Sequence, residues 1–200
     1  MCSHLILLNL VKKILLVDNY DSFTYNLYQQ LSKQEKISVD VKRHDFENFS
    51  KLDIESEYDG IVISPGPKAP KDAGISNLII KNFHTKMPIF GVCLGMQCIN
   101  EVFGGVTVAS PLPVHGKKST IIHNGKGLFE NVPQNMEVAR YHSLIIAQIP
   151  DELVVTAHTK DDIPMAIEHK KYPLFGVQFH PESFMTHYGD EIMKNFIKML

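Results

Sequence analysis

The chain has 200 residues, 44% of them apolar and 21% charged, enough for one globular domain with a sizeable core. A formal charge of −2 with no run of like charges gives no nucleic-acid footprint. The three cysteines, Cys2, Cys93 and Cys98, form no Cys-x-x-Cys pair, which argues against a disulfide scaffold and for a reducing, cytoplasmic setting.

Residues 5–11 and 14–17 are apolar, but Lys12 and Lys13 interrupt them well short of the ~20 apolar residues of a membrane span. The charges follow the apolar stretch, the reverse of a signal peptide. Residues 1–12 are read as an N-terminal extension and residues 13–200 as one domain with no membrane association.

Lys13–Val17 is a short apolar run, the mark of a strand buried on both faces. Asp21 or Ser22 can cap a following helix with apolar Phe23, Leu27 and Leu31. Val39 and Val41 suggest a second strand, and Ile61–Ile63 a third that ends at Ser64-Pro65-Gly66-Pro67. A helix over Ile75–Phe83, a strand over Ile89–Val92 and a helix over about Leu94–Phe103 follow. From Gly104 prolines and glycines recur, with short β-like pieces around Thr107, Thr120, Val138, Val154 and Ala166. Leu174–Phe179 is another buried strand and Tyr188–Leu200 a closing helix. The alternation predicts an α/β fold: a mostly parallel central sheet, helices on both faces, and antiparallel strands added to that sheet.

Gly91-Val92-Cys93-Leu94-Gly95 lies between an apolar strand and a helix. Glycines on both sides of a reactive residue suit a tight strand-to-helix turn, the logic of a nucleophile elbow with sulfur in place of oxygen. The helix N-terminus favours thiolate, and the Leu94 N–H is the natural first oxyanion donor. Gln97, four residues on, projects from the same helix face, while Cys98 points into the core.

A thiolate mechanism needs a base and a group that orients it. Among ten histidines, His180-Pro181-Glu182 stands out at the carboxyl end of the last strand. Residues two apart in extended chain share a side, so His180 can face Cys93 while Glu182 holds its imidazole. His142 has no acidic neighbour and reads as a structural or pocket-wall residue; His115, in a Gly/Pro-rich loop, reads as a contact residue. Gly66 can bring a second oxyanion amide from another loop. Asp18, Asn19 and Asp21 lack the repeated ligands of a calcium loop, and the cluster reads as helix capping by Asp21 or Ser22.

These segments resemble the class I (triad) glutamine amidotransferases, and among them the small subunits of anthranilate and aminodeoxychorismate synthases. The resemblance runs through Asp18-Asn19-Tyr20-Asp21-Ser22-Phe23-Thr24, Ser64 to Pro67, Gly91 to Gln97, His115-Gly116-Lys117, Arg140 to Leu144 and Gly176 to Ser183. It implies a flavodoxin-like sheet and a Cys93, His180, Glu182 triad. It also implies a glutamine site built by Gly66, Pro67, Leu94, Gln97, Ser143 and Leu144. The segment His115, Gly116 and Lys117 would face a chorismate-using synthase subunit, which would receive ammonia and need Mg2+. This chain itself would need no cofactor or metal.

Anthranilate synthase stands first among the implied partners, then aminodeoxychorismate synthase or shared use. Lys68 and Met96 depart from residues common in the family. Competing readings are a stand-alone γ-glutamyl hydrolase, a non-catalytic subunit that kept the fold, and an amidotransferase for another acceptor. The Asp18–Thr24 signature argues against the first and the intact triad against the second.

Overall fold

The computed structural model describes residues 11–111 and 113–200, so most of the N-terminal extension lies outside the described residues. In chain order the elements are β1 (Lys12–Asp18), α1 (Thr24–Ser32), β2 (Ile37–Arg43), α2 (Ile54–Glu57), β3 (Gly60–Ile63), α3 (Ile75–Phe83), β4 (Ile89–Val92), α4 (Leu94–Val102), β5 (Val106–Ala109), β6 (Lys117–His123), β7 (Glu137–Arg140), β8 (Leu144–Gln148), β9 (Leu153–Thr159), β10 (Pro164–His169), β11 (Leu174–Val177) and α5 (Gly189–Ile197).

The main sheet runs β2-β1-β3-β4-β11-β10-β9-β6-β7. Strands β2, β1, β3, β4 and β11 are parallel. Strands β10, β9, β6 and β7 extend the sheet antiparallel. Both faces of the parallel part are covered, and the period-two side-chain alternation sorts each strand between two cores. Ile14 and Leu16 join Leu27 and Leu31 of α1 and Ile192 and Phe196 of α5. Leu15 and Val17 join Ile79 and Ile80 of α3 and Met96 and Ile99 of α4.

Two details differ from the sequence expectation. Strand β5, around Thr107, does not join the main sheet; it pairs with β8 in a separate two-stranded ribbon. Gly104, at φ +92, turns the chain at the end of α4, and Asn100 Nδ2 then donates to the Val106 and Gln148 carbonyls, holding the ribbon on that helix. The expected cap of α1 is also displaced: Phe23 is the N-cap, with no side-chain cap bond, and Ser22 is exposed. Asp18, at the end of β1, instead accepts from the amides of Tyr20 (2.9 Å) and Asp21 (3.3 Å) and from the Thr24 hydroxyl (2.8 Å). The Asp21 carboxylate accepts the Phe23 amide, at 2.8 Å. A carboxylate that reaches three donors leaves no room for an ordinary cap in this turn.

Candidate active site

The strand order fixes the site. β4 lies between β3 and β11, so the loops leaving their carboxyl ends converge where open α/β sheets bind ligands. Cys93 leaves β4 as the N-cap of α4 with φ +53 and ψ −98, a conformation that strains a residue with a Cβ. Its amide is anchored to the Val177 carbonyl at 2.7 Å. Neither Gly91 nor Gly95 carries the left-handed φ; the cysteine does. The glycines make room instead: a Cβ on Gly91 would lie 2.5 Å from the Gly95 carbonyl carbon, and one on Gly95 2.7 Å from the Ile63 oxygen. The turn is tight because helix and strands meet backbone to backbone.

His180 follows β11, with its side chain 3% exposed. Its Nδ1 lies 2.6 Å from Glu182 Oε1, and the Glu182 side chain is fully buried. Burial by itself favours neutral imidazole. The Glu182 charge, the neighbouring Cys93 sulfur and the hydrogen bond to Glu182 outweigh it, holding the His180 pKa well above the ordinary value. Its other nitrogen, Nε2, is buried without a hydrogen bond of ordinary geometry, on the side where Cys93 acts on it. Phe23 and Tyr141 pack edge-on against the imidazole, with centroids 5.6 and 5.0 Å away. The backbone is held as firmly: Thr186 Oγ1 donates to the His180 carbonyl and accepts the Ala139 amide.

Leu94 is the first residue of α4, so its N–H belongs to the donors that a helix leaves unsatisfied. Gly66 presses against it from the β3 loop: a Cβ there would stand 2.6 Å from Asn19 Cβ and 2.7 Å from Leu94 Cδ2. Asn19 ties the two loops together. Its amide donates to Ser64 Oγ, its side chain donates to the Ser64 carbonyl, and Ser76 Oγ donates to it. The Asp18–Thr24 signature thereby gains a physical account: it braces the Gly66 loop at one end and sets Phe23 against His180 at the other.

A cavity of about 190 Å³, the size for one small amino acid, opens beside the sulfur. Gly66, Pro67, Cys93, Gln97, His115, Ser143 and Leu144 all line it, as do Lys68, Tyr141 and His142. A larger cavity of about 540 Å³ beside α1 reaches Glu182 but neither Cys93 nor His180. A buried thiol beside a carboxylate-held imidazole, with two loop amides nearby, has the parts of a thiol acyl-transfer site.

The sequence profile described as glutamine amidotransferase class-I matches residues 15–200. The chain belongs to that family. It is 51% identical over 193 residues to anthranilate synthase component 2 of Cyanophora paradoxa, covering 94% of this chain and 99% of that protein. It is 49% identical over 187 residues to aminodeoxychorismate/anthranilate synthase component 2 of Bacillus subtilis (strain 168), covering 92% and 95%. A solved structure of a putative GMP synthase component from Thermoplasma acidophilum superposes with a TM-score of 0.84 at 28% identity, covering 94% of each chain. The mixed, mostly parallel sheet with helices on both faces is thus the flavodoxin-like fold of class I amidotransferases.

Within this amidotransferase fold, Gly116 (φ +65) and Lys117 are exposed beside the cavity rather than in its wall, and His115 reaches its rim. His142 is buried, its pKa pushed down to about 4 first by burial and then by Arg140, and both its ring nitrogens are engaged, by Arg140 Nε and the Leu144 carbonyl, so it stands as a wall residue. Cys98 is buried as expected, and desolvation raises its thiol pKa far above the ordinary range. Among the described residues no helix is long and apolar enough to cross a membrane. One residue beside the sulfur had no assigned role from the sequence: Gln178, fully buried, donates from Nε2 to Cys93 Sγ at 3.5 Å. Its signal was the period-two alternation that places it on the side of His180.

Proposed function

We propose that this chain is the glutaminase subunit of a cytoplasmic, chorismate-using synthase, with anthranilate synthase as the first assignment. The observation that carries the glutaminase chemistry is the alignment of Cys93, His180 and the buried Glu182 at the carboxyl end of the sheet. The raised His180 pKa favours an imidazolium beside the Cys93 sulfur.

In this mechanism the Cys93 thiolate attacks the side-chain amide carbon of glutamine. The Leu94 and Gly66 N–H groups hold the oxyanion, one such donor contributing roughly 3–4 kcal/mol to the barrier. His180 gives its proton to the departing nitrogen, and ammonia leaves. A γ-glutamyl thioester remains on Cys93. His180 then takes a proton from water, the resulting nucleophile attacks the thioester, and glutamate departs. Glu182 keeps the proton-bearing nitrogen of His180 fixed and stabilises the cation throughout. These steps use no cofactor or metal in this chain, and the partner is the component expected to need Mg2+.

Ammonia protonates in bulk water, so the synthase would cover the cavity. Exposed His115, Gly116 and Lys117 on its rim fit that contact. Identity of 51% across 99% of an anthranilate synthase component 2 supports the pathway assignment. Aminodeoxychorismate synthesis, or service to both enzymes, is the second reading, supported by the 49% identical relative that carries both names. The test mixes the chain with glutamine, Mg2+, chorismate and the large subunit of either synthase. Glutamine-dependent anthranilate with only the first partner supports the primary reading. Product with only the second, or with both, moves the assignment accordingly. Glutamine hydrolysis without product in either mixture contradicts the partner assignment.

A further inference from the structure

Four polar side chains are buried beside the site: Arg140, His142, Gln97 and Gln178 are 5%, 3%, 3% and 0% exposed. They form one chain of hydrogen bonds. Arg140 Nε donates to His142 Nε2 at 3.0 Å, and Arg140 Nη1 donates to Ser119 Oγ at 3.1 Å. His142 Nδ1 lies 2.9 Å from the Leu144 carbonyl. Gln97 Nε2 donates to the same carbonyl at 3.4 Å and to Gln178 Oε1 at 3.1 Å. Gln178 Nε2 ends the chain on Cys93 Sγ at 3.5 Å.

The chain has only one direction. Arginine has no acceptor, so His142 Nε2 must accept and the ring proton must sit on Nδ1, where it is donated to Leu144. At the other end, the Gln178 amide faces sulfur, so its oxygen faces Gln97. Gln97 then spends both N–H groups inside the protein, leaving its own carbonyl oxygen for the cavity it lines. The orientation of each amide follows from its neighbours, not from its own preference.

We propose that Arg140, His142 and Gln178 are positioning residues for the glutaminase reaction. Arg140 and His142 lock the Leu144 carbonyl and, through it, Gln97, so that the cavity presents an acceptor where the substrate carries its α-ammonium group. Gln178 holds the sulfur through its side-chain amide. The inference rests on the reading of glutamine as substrate, and gives these residues a role through the groups they hold.

The test uses steady-state glutaminase kinetics of the full chain with its synthase partner, together with the rate of Cys93 alkylation by iodoacetamide. An asparagine amide overlays Nδ1 of histidine, and a glutamine amide overlays Nε2. His142→Asn therefore keeps the donor to Leu144 and is expected within about threefold of the parent KM, whereas His142→Leu and His142→Gln raise KM about tenfold with little change in kcat. All three leave the alkylation rate unchanged, because they do not reach the sulfur. Gln178→Met lowers kcat and slows alkylation together. A role in packing alone reverses the order, since leucine is the closer match in volume, and equal KM values for His142→Asn and His142→Gln overturn the proposal outright. Should His142→Leu not fold, the Asn–Gln pair decides. A parent complex that hydrolyses no glutamine refutes the substrate reading instead, and the alkylation rate of Gln178→Met still reports on the sulfur contact.

Discussion

The backbone strain at Cys93 has a measurable consequence that separates it from the chemistry. Cys93→Ala and Cys93→Gly both delete the sulfur and its contact with Gln178, so both are inactive and differ only by one methyl group. At an ordinary buried position that exchange favours alanine, through chain entropy of about 0.5–1 kcal/mol and burial of about 0.8 kcal/mol. Ala73, 1% exposed at φ −81, is such a position, and Ala73→Gly is expected to melt roughly 2–6 °C lower than the parent. At residue 93 the alanine Cβ must sit at φ +53 and ψ −98, which costs about 1–3 kcal/mol. The middle of that range reverses the order and puts glycine ahead by about 0.2–0.7 kcal/mol, or roughly 1–2 °C. Thermal unfolding of the three variants, followed by circular dichroism at one pH, reads the difference. A glycine variant that melts several degrees below its alanine counterpart, as at residue 73, refutes the claim that the fold strains the nucleophile's backbone.

Other consequences follow from the same geometry. Gly66→Ala drives a methyl into Asn19 and Leu94, displacing the amide proposed to hold the oxyanion, so kcat should fall about 10²–10³-fold while the KM for glutamine changes little. Glu182→Gln removes the charge that sustains the His180 cation and offers Nδ1 the wrong partner, so kcat/KM should fall about 10²–10⁴-fold without vanishing. The same pair sets a pH signature. The folded His180 pKa stands above the unfolded value of 6.5, so its stabilisation is complete below that value and is lost as pH rises through the folded pKa. Urea midpoints of the parent should therefore decline as pH rises through the folded pKa, and those of Glu182→Gln should not. Asn195 Nδ2 donates to the Leu128 and Glu130 carbonyls at 3.0 and 2.8 Å, so Asn195→Ala should cost roughly 2–4 kcal/mol in a denaturant titration with glutaminase activity retained at low temperature.

The sequence made the parallel half of the molecule legible because its strands are continuous apolar runs, buried on both faces and punctuated by Gly and Pro. It made the triad region legible because Cys93 and His180 each sit at the end of such a run, and the strand order brings those ends together. The antiparallel half was less readable. Strand β8 begins inside the Ser143-Leu144 motif, where cavity-wall and ribbon demands overlap and no clean alternation survives. The cap of α1 was misplaced because Asp18 acts from the preceding strand, six residues before Thr24, beyond any local capping pattern. Gln178 and Arg140 went unassigned because buried amides and guanidiniums declare a role only through partners distant in the chain, here Gln97, Cys93 and Ser119.

The central claim divides one reaction between two chains: this one frees ammonia, and its partner uses it. The direct test is Cys93→Ser in complex with the chorismate-using large subunit, with product measured first from glutamine and then from ammonium salt. The account predicts that glutamine-dependent synthesis disappears while ammonia-dependent synthesis stays at the parent's rate. Glutamine-dependent product from that variant, or loss of both activities in an intact complex, would contradict it.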